Sequence, residues 1–341
     1  MTVNPHLLGQ NIHKECSIFL SLTALLYGAG LMYRYADGSE LPVWPTKQGR
    51  KSMIIVRMKG GLGNQMFQYA AGRSLALQNG LPLVLDKRFY NCEREHSYAL
   101  ENFRLADVPV DAACLPPLKN KHPLAHCLWQ LDRRKPQLQR ENGIGFDKTI
   151  ASVSKPTWIE GYFQSERYFT QYAETVRADL TPVAPLDAQN AHWLAKIKAD
   201  PYSVSLHVRR GDYVRNLKFA ARHGSCTQDY YARAMSHVAQ KMGAEPVIYA
   251  FSDDPTWVQE NMKLPANTQI VGHNDASRNV EDLRLMSACR HHILANSSFS
   301  WWGAWLNPRK EKIVAAPAVW FADQTYDNPD IWAHGWTRIA G

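Results

Sequence analysis

Several patterns that mark common protein classes are missing from this 341-residue chain. It contains no Asp-x-Asp triplet, although a divalent metal held beside a diphosphate requires clustered carboxylates of that kind. Its six cysteines form neither a Cys-x-x-Cys pair nor a Cys/His pattern with zinc-ligand spacing, so they indicate reduced thiols in a cytosolic protein. It has no block of five basic residues despite a formal net charge of +8, so we expect no nucleic-acid partner.

Long hydrophobic runs are also scarce. Only the uncharged segment 16–33 reaches the lower limit for crossing a bilayer, and too little positive charge precedes it for a signal peptide. The segment fits two interpretations. It is either a membrane-associated element, which would hold a cytoplasmic protein at the inner membrane, or part of a dispensable 1–52 extension and linker, because Met53 can itself begin a compact domain.

The rest of the chain has the length and composition of two globular domains. From residue 53, a β-branched strand, a glycine-rich loop and a helix ending at Gly80 open a first α/β domain, 53–187. From residue 203, strands and helices alternate regularly, which predicts crossover units and a parallel sheet in a second domain, 188–341.

Polar clusters follow three predicted strands of the second domain. They are HVRRGDY at 207–213, FSDD at 251–254 and NSSFS at 296–300. Because ligands bind outside the carboxyl ends of parallel strands, we expect the three clusters to meet at one edge of the sheet. The sequence therefore predicts a ligand site there.

The clusters carry side chains that suit an anionic ligand. Arg209 and Arg210 offer guanidinium groups, which grip phosphate oxygens in a bidentate manner. Ser297 and Ser298 open a predicted helix, where hydroxyls and free N–H groups form an anion site. Each residue alone would more often be a salt-bridge partner or a helix start, so the prediction depends on their meeting at one edge.

A carboxylate in the same region suits a guanine base. Asp253 or Asp254 can accept hydrogen bonds from the ring N–H and the exocyclic amine of guanine. Asp254 followed by Pro255 also has the pattern of an ordinary helix N-cap.

The glycine-rich loop 60–65, GGLGNQ, invites a dinucleotide-binding interpretation with Asp86 as the ribose partner. The fingerprint fails at its third glycine, which is Met66, so a nicotinamide-dependent dehydrogenase is a distant alternative. The loop instead offers a close backbone approach and the amides of Asn64 and Gln65 to a diphosphate held by the other domain. Since arginines and a helix start supply the compensating charge, we expect no metal requirement.

Five motifs together resemble glycosyltransferase family 11, the α-1,2-fucosyltransferases, in its bacterial form. They are MIIVRMKGGLGNQMFQYAAG, WIEGYFQSERYF, SLHVRRGDY, VIYAFSDD and LANSSFSWWGAWLN. The resemblance covers about residues 53–320. It implies an α/β fold of the GT-B type, with two Rossmann-like domains facing across a cleft, an acceptor-side first domain and a GDP-fucose-binding second domain.

The resemblance also implies a reaction, the inverting transfer of L-fucose from GDP-β-L-fucose to the 2-hydroxyl of a terminal galactoside, in surface glycan synthesis. Two alternatives stay open. One is a transferase of the same fold with another nucleotide sugar or linkage, and the other is a non-catalytic carbohydrate-binding protein.

Site residues are carried over at matching positions. Arg209 would contact the donor pyrophosphate and stabilise the leaving group. The resemblance does not supply the general base. Asp212 is its first candidate because it lies in the loop of Arg209, but it could instead only orient Arg209, and Asp86 and Glu160 are weaker candidates. The donor-binding set is Asn64, His207, Arg210, Asp253, Ser297 and Ser298. The tryptophans of the last motif have helical spacing, which favours packing over stacking on sugar.

Overall fold

The computed structural model describes residues 52–93, 96–110, 114–118, 121–132, 135–210 and 224–341. The predicted membrane-associated segment 16–33 therefore lies outside the described residues. Within them, no helix is long and apolar enough to cross a membrane.

The first sheet consists of four parallel strands in the order β2-β1-β4-β3. The strands are β1 (Ile54–Arg57), β2 (Leu83–Asp86), β3 (Gln137–Arg140) and β4 (Thr157–Glu160). The apolar residues of the central strand β1 are buried, as a strand covered on both faces requires. All four strands end in a charged residue at the same edge of the sheet. In the strand register, Arg57 lies opposite Asp86, and Arg140 lies opposite Glu160.

The predicted first helix is confirmed as α1 (Leu62–Asn79), and Gly80 ends it in the left-handed conformation, with φ 60°. The region 87–157, which has no clear pattern in the sequence, contains α2 (Pro123–Leu131), β3 and α3 (Lys148–Ala151).

The sequence ERYFTQYAETVRADL predicts a single helix over 166–180, and this prediction is wrong. The structure has short 3₁₀ turns followed by α4 (Ala173–Asp179). The chain breaks at Phe169, whose backbone is not helical and whose ring is fully buried and stacked on Trp302. Burying this ring overrides the local helix preference.

The second sheet has six parallel strands in the order β10-β9-β8-β5-β6-β7. The strands are β5 (Ser203–Val208), β6 (Val247–Ser252), β7 (Gln269–Val271), β8 (His291–Ile293), β9 (Val314–Pro317) and β10 (Thr337–Ile339). The helices of this half are α5 (Ala188–Ala199), α6 (Gln228–Met242), α7 (Pro255–Asn261), α8 (Asn279–Ala288) and α9 (Ser298–Leu306). The predicted alternation from residue 203 is confirmed, whereas α5 and β10 were not predicted.

Helix α9 of the second half packs on helix α1 of the first through aromatic rings. The Phe67 ring lies 4.5 Å from the ring of Trp301 and 5.0 Å from that of Trp302. Trp305 also belongs to this buried cluster, which contains core residues of both halves. The prediction that the tryptophans pack rather than stack on sugar is thereby confirmed.

Two parallel α/β sheets are the architecture predicted for a GT-B fold. The predicted boundary between residues 187 and 188 falls at the start of α5, where the Asp187 side chain caps the helix by accepting hydrogen bonds from the N–H groups of Gln189 and Asn190. The division into domains stays a prediction.

Candidate active site

The three polar clusters of the second half follow adjacent strands. Strand β5 lies between β8 and β6, and all three are parallel. Their carboxyl ends therefore share one edge, and the segments after Val208, Ser252 and Ile293 leave the sheet there. The expectation that the clusters share a sheet edge is confirmed.

His207 lies near the end of β5 and is almost completely buried, at 3% exposure. Burial lowers the pKa of its imidazole to about 4, with nearby Arg209 acting in the same direction and Asp253 against it. Among the described residues, its Nδ1 atom has no hydrogen-bond partner. At neutral pH, this position thus holds an uncharged imidazole, and one buried ring nitrogen has no partner within the described part of the chain.

Asp253 connects the first two clusters. Its Oδ2 atom lies 2.8 Å from Nη1 of Arg209, and its Oδ1 atom accepts a hydrogen bond of 2.9 Å from the backbone N–H of Arg210. Both oxygens of this carboxylate therefore orient the arginine pair. Whether Asp253 also binds guanine stays a prediction.

Arg210 is placed differently from Arg209. Its guanidinium carbon lies 3.7 Å from the centre of the Trp257 ring, and its Nε atom is 3.8 Å from Oδ2 of Asp254. Asp254 also accepts a hydrogen bond from the N–H of Trp257 at the start of α7, which confirms the N-cap interpretation. Stacking on an indole leaves guanidinium N–H groups at the edge of the plane for an anion.

The third cluster forms the start of α9. Within the described residues, the side chain of the N-cap Ser297 makes no capping hydrogen bond. The hydroxyl of Ser300, inside the helix, accepts a hydrogen bond of 3.0 Å from the N–H of Ala295, which precedes the helix. First-turn N–H groups and the positive end of the helix dipole favour an anion at this place.

At the carboxyl end of α9, a lysine side chain of the same half binds backbone carbonyl groups. The Lys312 ammonium donates hydrogen bonds to the carbonyls of Ala304, at 2.8 Å, and Asn307, at 2.5 Å. Burial lowers the pKa of Lys312 to about 8. The helix is therefore capped at its carboxyl end by a side chain from the segment that leads into β9.

The glycine-rich loop of the first half meets the start of α9 directly. A Cβ atom on Gly63 would lie 2.5 Å from the backbone N of Phe299 and 2.6 Å from the hydroxyl of Ser298. The Gly63 carbonyl accepts a hydrogen bond of 2.9 Å from the indole N–H of Trp302. Two helix starts, one from each half, therefore lie side by side, and a glycine is required at their contact.

The loop's two amides differ in role. The carbonyl oxygen of Asn64 accepts a hydrogen bond of 2.7 Å from the Gln164 amide, so Asn64 joins the loop to the segment after β4. The expected role of Gln65 is wrong, because its side chain is buried. Its amide donates to the carbonyls of Gly60 and Ser97 and its oxygen accepts from the N–H of Ala99. Gln65 fixes the loop within the first half.

Asn296, the first residue of the third cluster, has a role that the sequence did not predict. This residue is buried directly before the serine cluster, and its amide donates to the carbonyls of Gly224, at 3.1 Å, and Trp320, at 3.2 Å. It thereby ties the segment after β8 to two other loops of the second half. Its place at the end of a predicted strand was the only signal for it in the sequence.

Of the three candidates for the general base, the structure describes two. Asp212 falls in 211–223, outside the described residues. Asp86 is buried and forms a two-oxygen ion pair with Arg88, at 2.7 and 2.8 Å. Glu160 accepts hydrogen bonds from Arg57 and Arg140 through one oxygen. Both described carboxylates are therefore already engaged by arginine, and the identity of the base stays a prediction.

The described residues contain no group of three or more His, Cys, Asp or Glu side chains that could hold a metal ion.

Known proteins resemble this chain over most of its length. An alpha-1,2-colitosyltransferase of Escherichia coli is 33% identical over 84% of this chain and 99% of its own length. The O-antigen biosynthesis glycosyltransferase WbnK of Escherichia coli is 31% identical over 78% of this chain and 94% of its own. A galactoside 2-alpha-L-fucosyltransferase, Sec1 of Mus musculus, is 25% identical over 77% of this chain and 66% of its own.

Solved structures resemble the fold more distantly. The fucosyltransferase NodZ from Bradyrhizobium has a TM-score of 0.40 and 15% identity, covering 76% of this chain and 93% of its own. An Arabidopsis thaliana FUT1 mutant in complex with GDP has a TM-score of 0.44 and 12% identity, covering 77% of this chain and 70% of its own.

The family model of glycosyl transferase family 11 matches residues 29–340, beginning within the predicted extension. Together with the parallel sheets and the polar edge of the second one, the family model and the sequence relatives define the class of the protein, a glycosyltransferase. The chain belongs to glycosyl transferase family 11 and is related to α-1,2-fucosyl- and colitosyltransferases.

Proposed function

We propose that the protein is a galactoside α-1,2-fucosyltransferase, which transfers L-fucose from GDP-β-L-fucose to the 2-hydroxyl of a terminal galactoside with inversion. The observation that carries the proposal is the shared edge of β8, β5 and β6, where the Arg209–Asp253 ion pair and the α9 start lie. A nucleoside diphosphate is a leaving group that such an edge can hold.

In the proposed mechanism, negative charge accumulates on the departing GDP as the sugar acquires oxocarbenium character. Arg209, oriented by Asp253, and the N–H groups at the α9 start stabilise this charge more in the transition state than in the ground state. His207, uncharged at neutral pH, offers a hydrogen bond to the nucleoside. Asp212 would take the proton of the acceptor hydroxyl.

The first test is Arg209→Ala. One lost contact to the leaving group is expected to cost about 3 kcal/mol, or on the order of a hundredfold in kcat/KM for GDP-fucose. Arg233→Ala, which removes an exposed arginine on α6, is the matched control and should keep normal activity. Transfer by Arg209→Ala within threefold of this control would refute the assignment.

A second donor has specific support, because a relative 33% identical over 84% of this chain is named an alpha-1,2-colitosyltransferase. Colitose differs from L-fucose by lacking the 3-hydroxyl, so the two donors differ by a single polar group. A donor panel of GDP-fucose and GDP-colitose, with linkage analysis of the product by NMR, distinguishes the two enzymes.

We also propose that transfer needs no metal, because cationic side chains and a helix start supply the charge that a divalent ion would otherwise provide. Full activity in EDTA supports this, and activity that EDTA abolishes and Mg²⁺ or Mn²⁺ restores contradicts it.

For location, we propose the cytoplasmic face of the inner membrane with peripheral association through segment 16–33. Fractionation of the full chain and of a chain starting at Met53 tests this.

A further inference from the structure

The segment directly after β4, residues 161–164, has the most unusual backbone of the first half. Phe163 has a φ of 52°, and it is the only residue other than glycine with positive φ among the described residues. A non-glycine residue in this region costs on the order of 1–3 kcal/mol and persists only where its surroundings fix it. Such conformations concentrate at functional sites.

The carboxylate of Glu141 holds this turn. One of its oxygens accepts hydrogen bonds from the N–H groups of Tyr162, at 2.8 Å, and Phe163, at 2.9 Å, and the other accepts from the hydroxyl of Tyr168 at 2.9 Å. Burial raises the pKa of Glu141. A Cβ atom on Gly161 would lie only 2.5 Å from the Glu141 carboxylate, so the turn closes only with glycine there.

This turn leaves the side chain of Tyr162 partly exposed. Its neighbour Phe163 is fully buried, whereas Tyr162 is 38% exposed and is one of the few large aromatic side chains at the described surface. The Lys59 ammonium lies 4.6 Å from the centre of the Tyr162 ring. The turn thus presents an aromatic ring together with a cation at the carboxyl edge of the first sheet.

The turn that carries this ring is connected to the proposed donor site. Gln164, two residues further on, donates to Asn64 of the glycine-rich loop. In that loop, Gly63 touches Ser298 at the start of α9. An uninterrupted series of contacts therefore joins the Tyr162 turn to the place where the leaving group would sit.

We propose that Tyr162 and Lys59 form the subsite that binds the terminal sugar of the acceptor. A partly exposed aromatic ring suits the C–H groups of a pyranose, and the adjacent ammonium can donate hydrogen bonds to sugar hydroxyls. The inference rests on the proposed function, because it names the acceptor side of that reaction. It does not make Tyr162 a group that moves protons.

The test combines binding and kinetics. Binding of methyl β-galactoside to the full chain is measured by saturation-transfer NMR, and the KM values for acceptor and donor are measured with GDP-fucose. Tyr162→Ala is expected to raise the acceptor KM on the order of tenfold and to abolish the galactoside signal, with the donor KM unchanged. Tyr162→Phe, which keeps the ring, should behave like the unmodified protein.

Tyr202→Ala is the matched control, because Tyr202 is a similarly exposed tyrosine of the second half, at 47% exposure. Equal galactoside signals for Tyr162→Ala and Tyr202→Ala would overturn the inference, as would an unmodified protein that binds no galactoside. Failure of the proposed function is separate, since it would appear as absence of GDP release from GDP-fucose in the unmodified protein.

Discussion

Gly63→Ala tests the contact between the two helix starts. The added Cβ would lie 2.5 Å from the backbone N of Phe299 and from the backbone C of Ser298. Restoring an ordinary contact of at least 3.4 Å requires the α1 and α9 starts to separate by about 0.9 Å, which is 3.4 minus 2.5. Backbone atoms cannot rotate away as a side chain can, so the helix starts themselves must move.

Gly63→Ala should affect both the stability of the fold and the rate of the reaction. Overpacking of this kind typically costs about 1–3 kcal/mol of stability, or a few degrees in Tm. A displacement near 1 Å in a catalytic arrangement can cost on the order of a hundredfold in rate. We therefore expect Gly63→Ala to stay folded while kcat/KM for the sugar nucleotide falls about a hundredfold.

The assay measures release of GDP at several donor concentrations, with thermal unfolding measured on the same samples. Gly72→Ala is the matched control, because Gly72 lies in the same helix and its Cβ would meet side-chain atoms of Val56, at 2.2 Å, and Leu83, at 3.0 Å. This control should lose stability but keep its kinetics. If Gly63→Ala and Gly72→Ala had the same kcat/KM, the reasoning about adjacent helix starts would be refuted.

Two further predictions concern stability. Burial raises the pKa of Asp282 to about 7, so the folded chain keeps a proton that the unfolded chain loses near its ordinary value of 3.8. The free energy of unfolding should therefore fall as pH rises from about 4 to about 7, and Asp282→Asn should reduce this slope in urea titrations at several pH values. Lys312→Met should lower the free energy of unfolding by about 1–3 kcal/mol, because it leaves two carbonyls at the end of α9 unpaired. Lys310→Met, at an exposed position, should leave the urea midpoint unchanged.

The sequence predicted the second sheet well because its strands alternate regularly with helices that carry clear start signals. Elements without such patterns were missed. Helix α5 buries only Asn190 and Ile197, so it shows little apolar stripe, and β3 is a polar edge strand with the sequence QLQR. Tertiary contacts decide structure in both cases.

In the candidate site too, some features could be predicted from the sequence and others could not. The meeting of three polar clusters followed from one rule about the carboxyl ends of parallel strands, and it needed no knowledge of contacts. The contact of the glycine-rich loop with α9 could not be predicted in this way, because Gly63 and Trp302 are 239 residues apart. The burial of Gln65 was missed for a similar reason, since its partners, such as Ser97 and Ala99, lie in a region without a clear pattern.

The aromatic cluster between α1 and α9 limits how the enzyme can open. Rings such as Phe67, Trp301 and Trp302 are fully enclosed and interlocked, so sliding one half past the other would expose them to water. Any relative movement of the two sheets that keeps these rings buried has to turn about this cluster. The two helix starts beside it would then stay in register with each other, whatever ligand they hold.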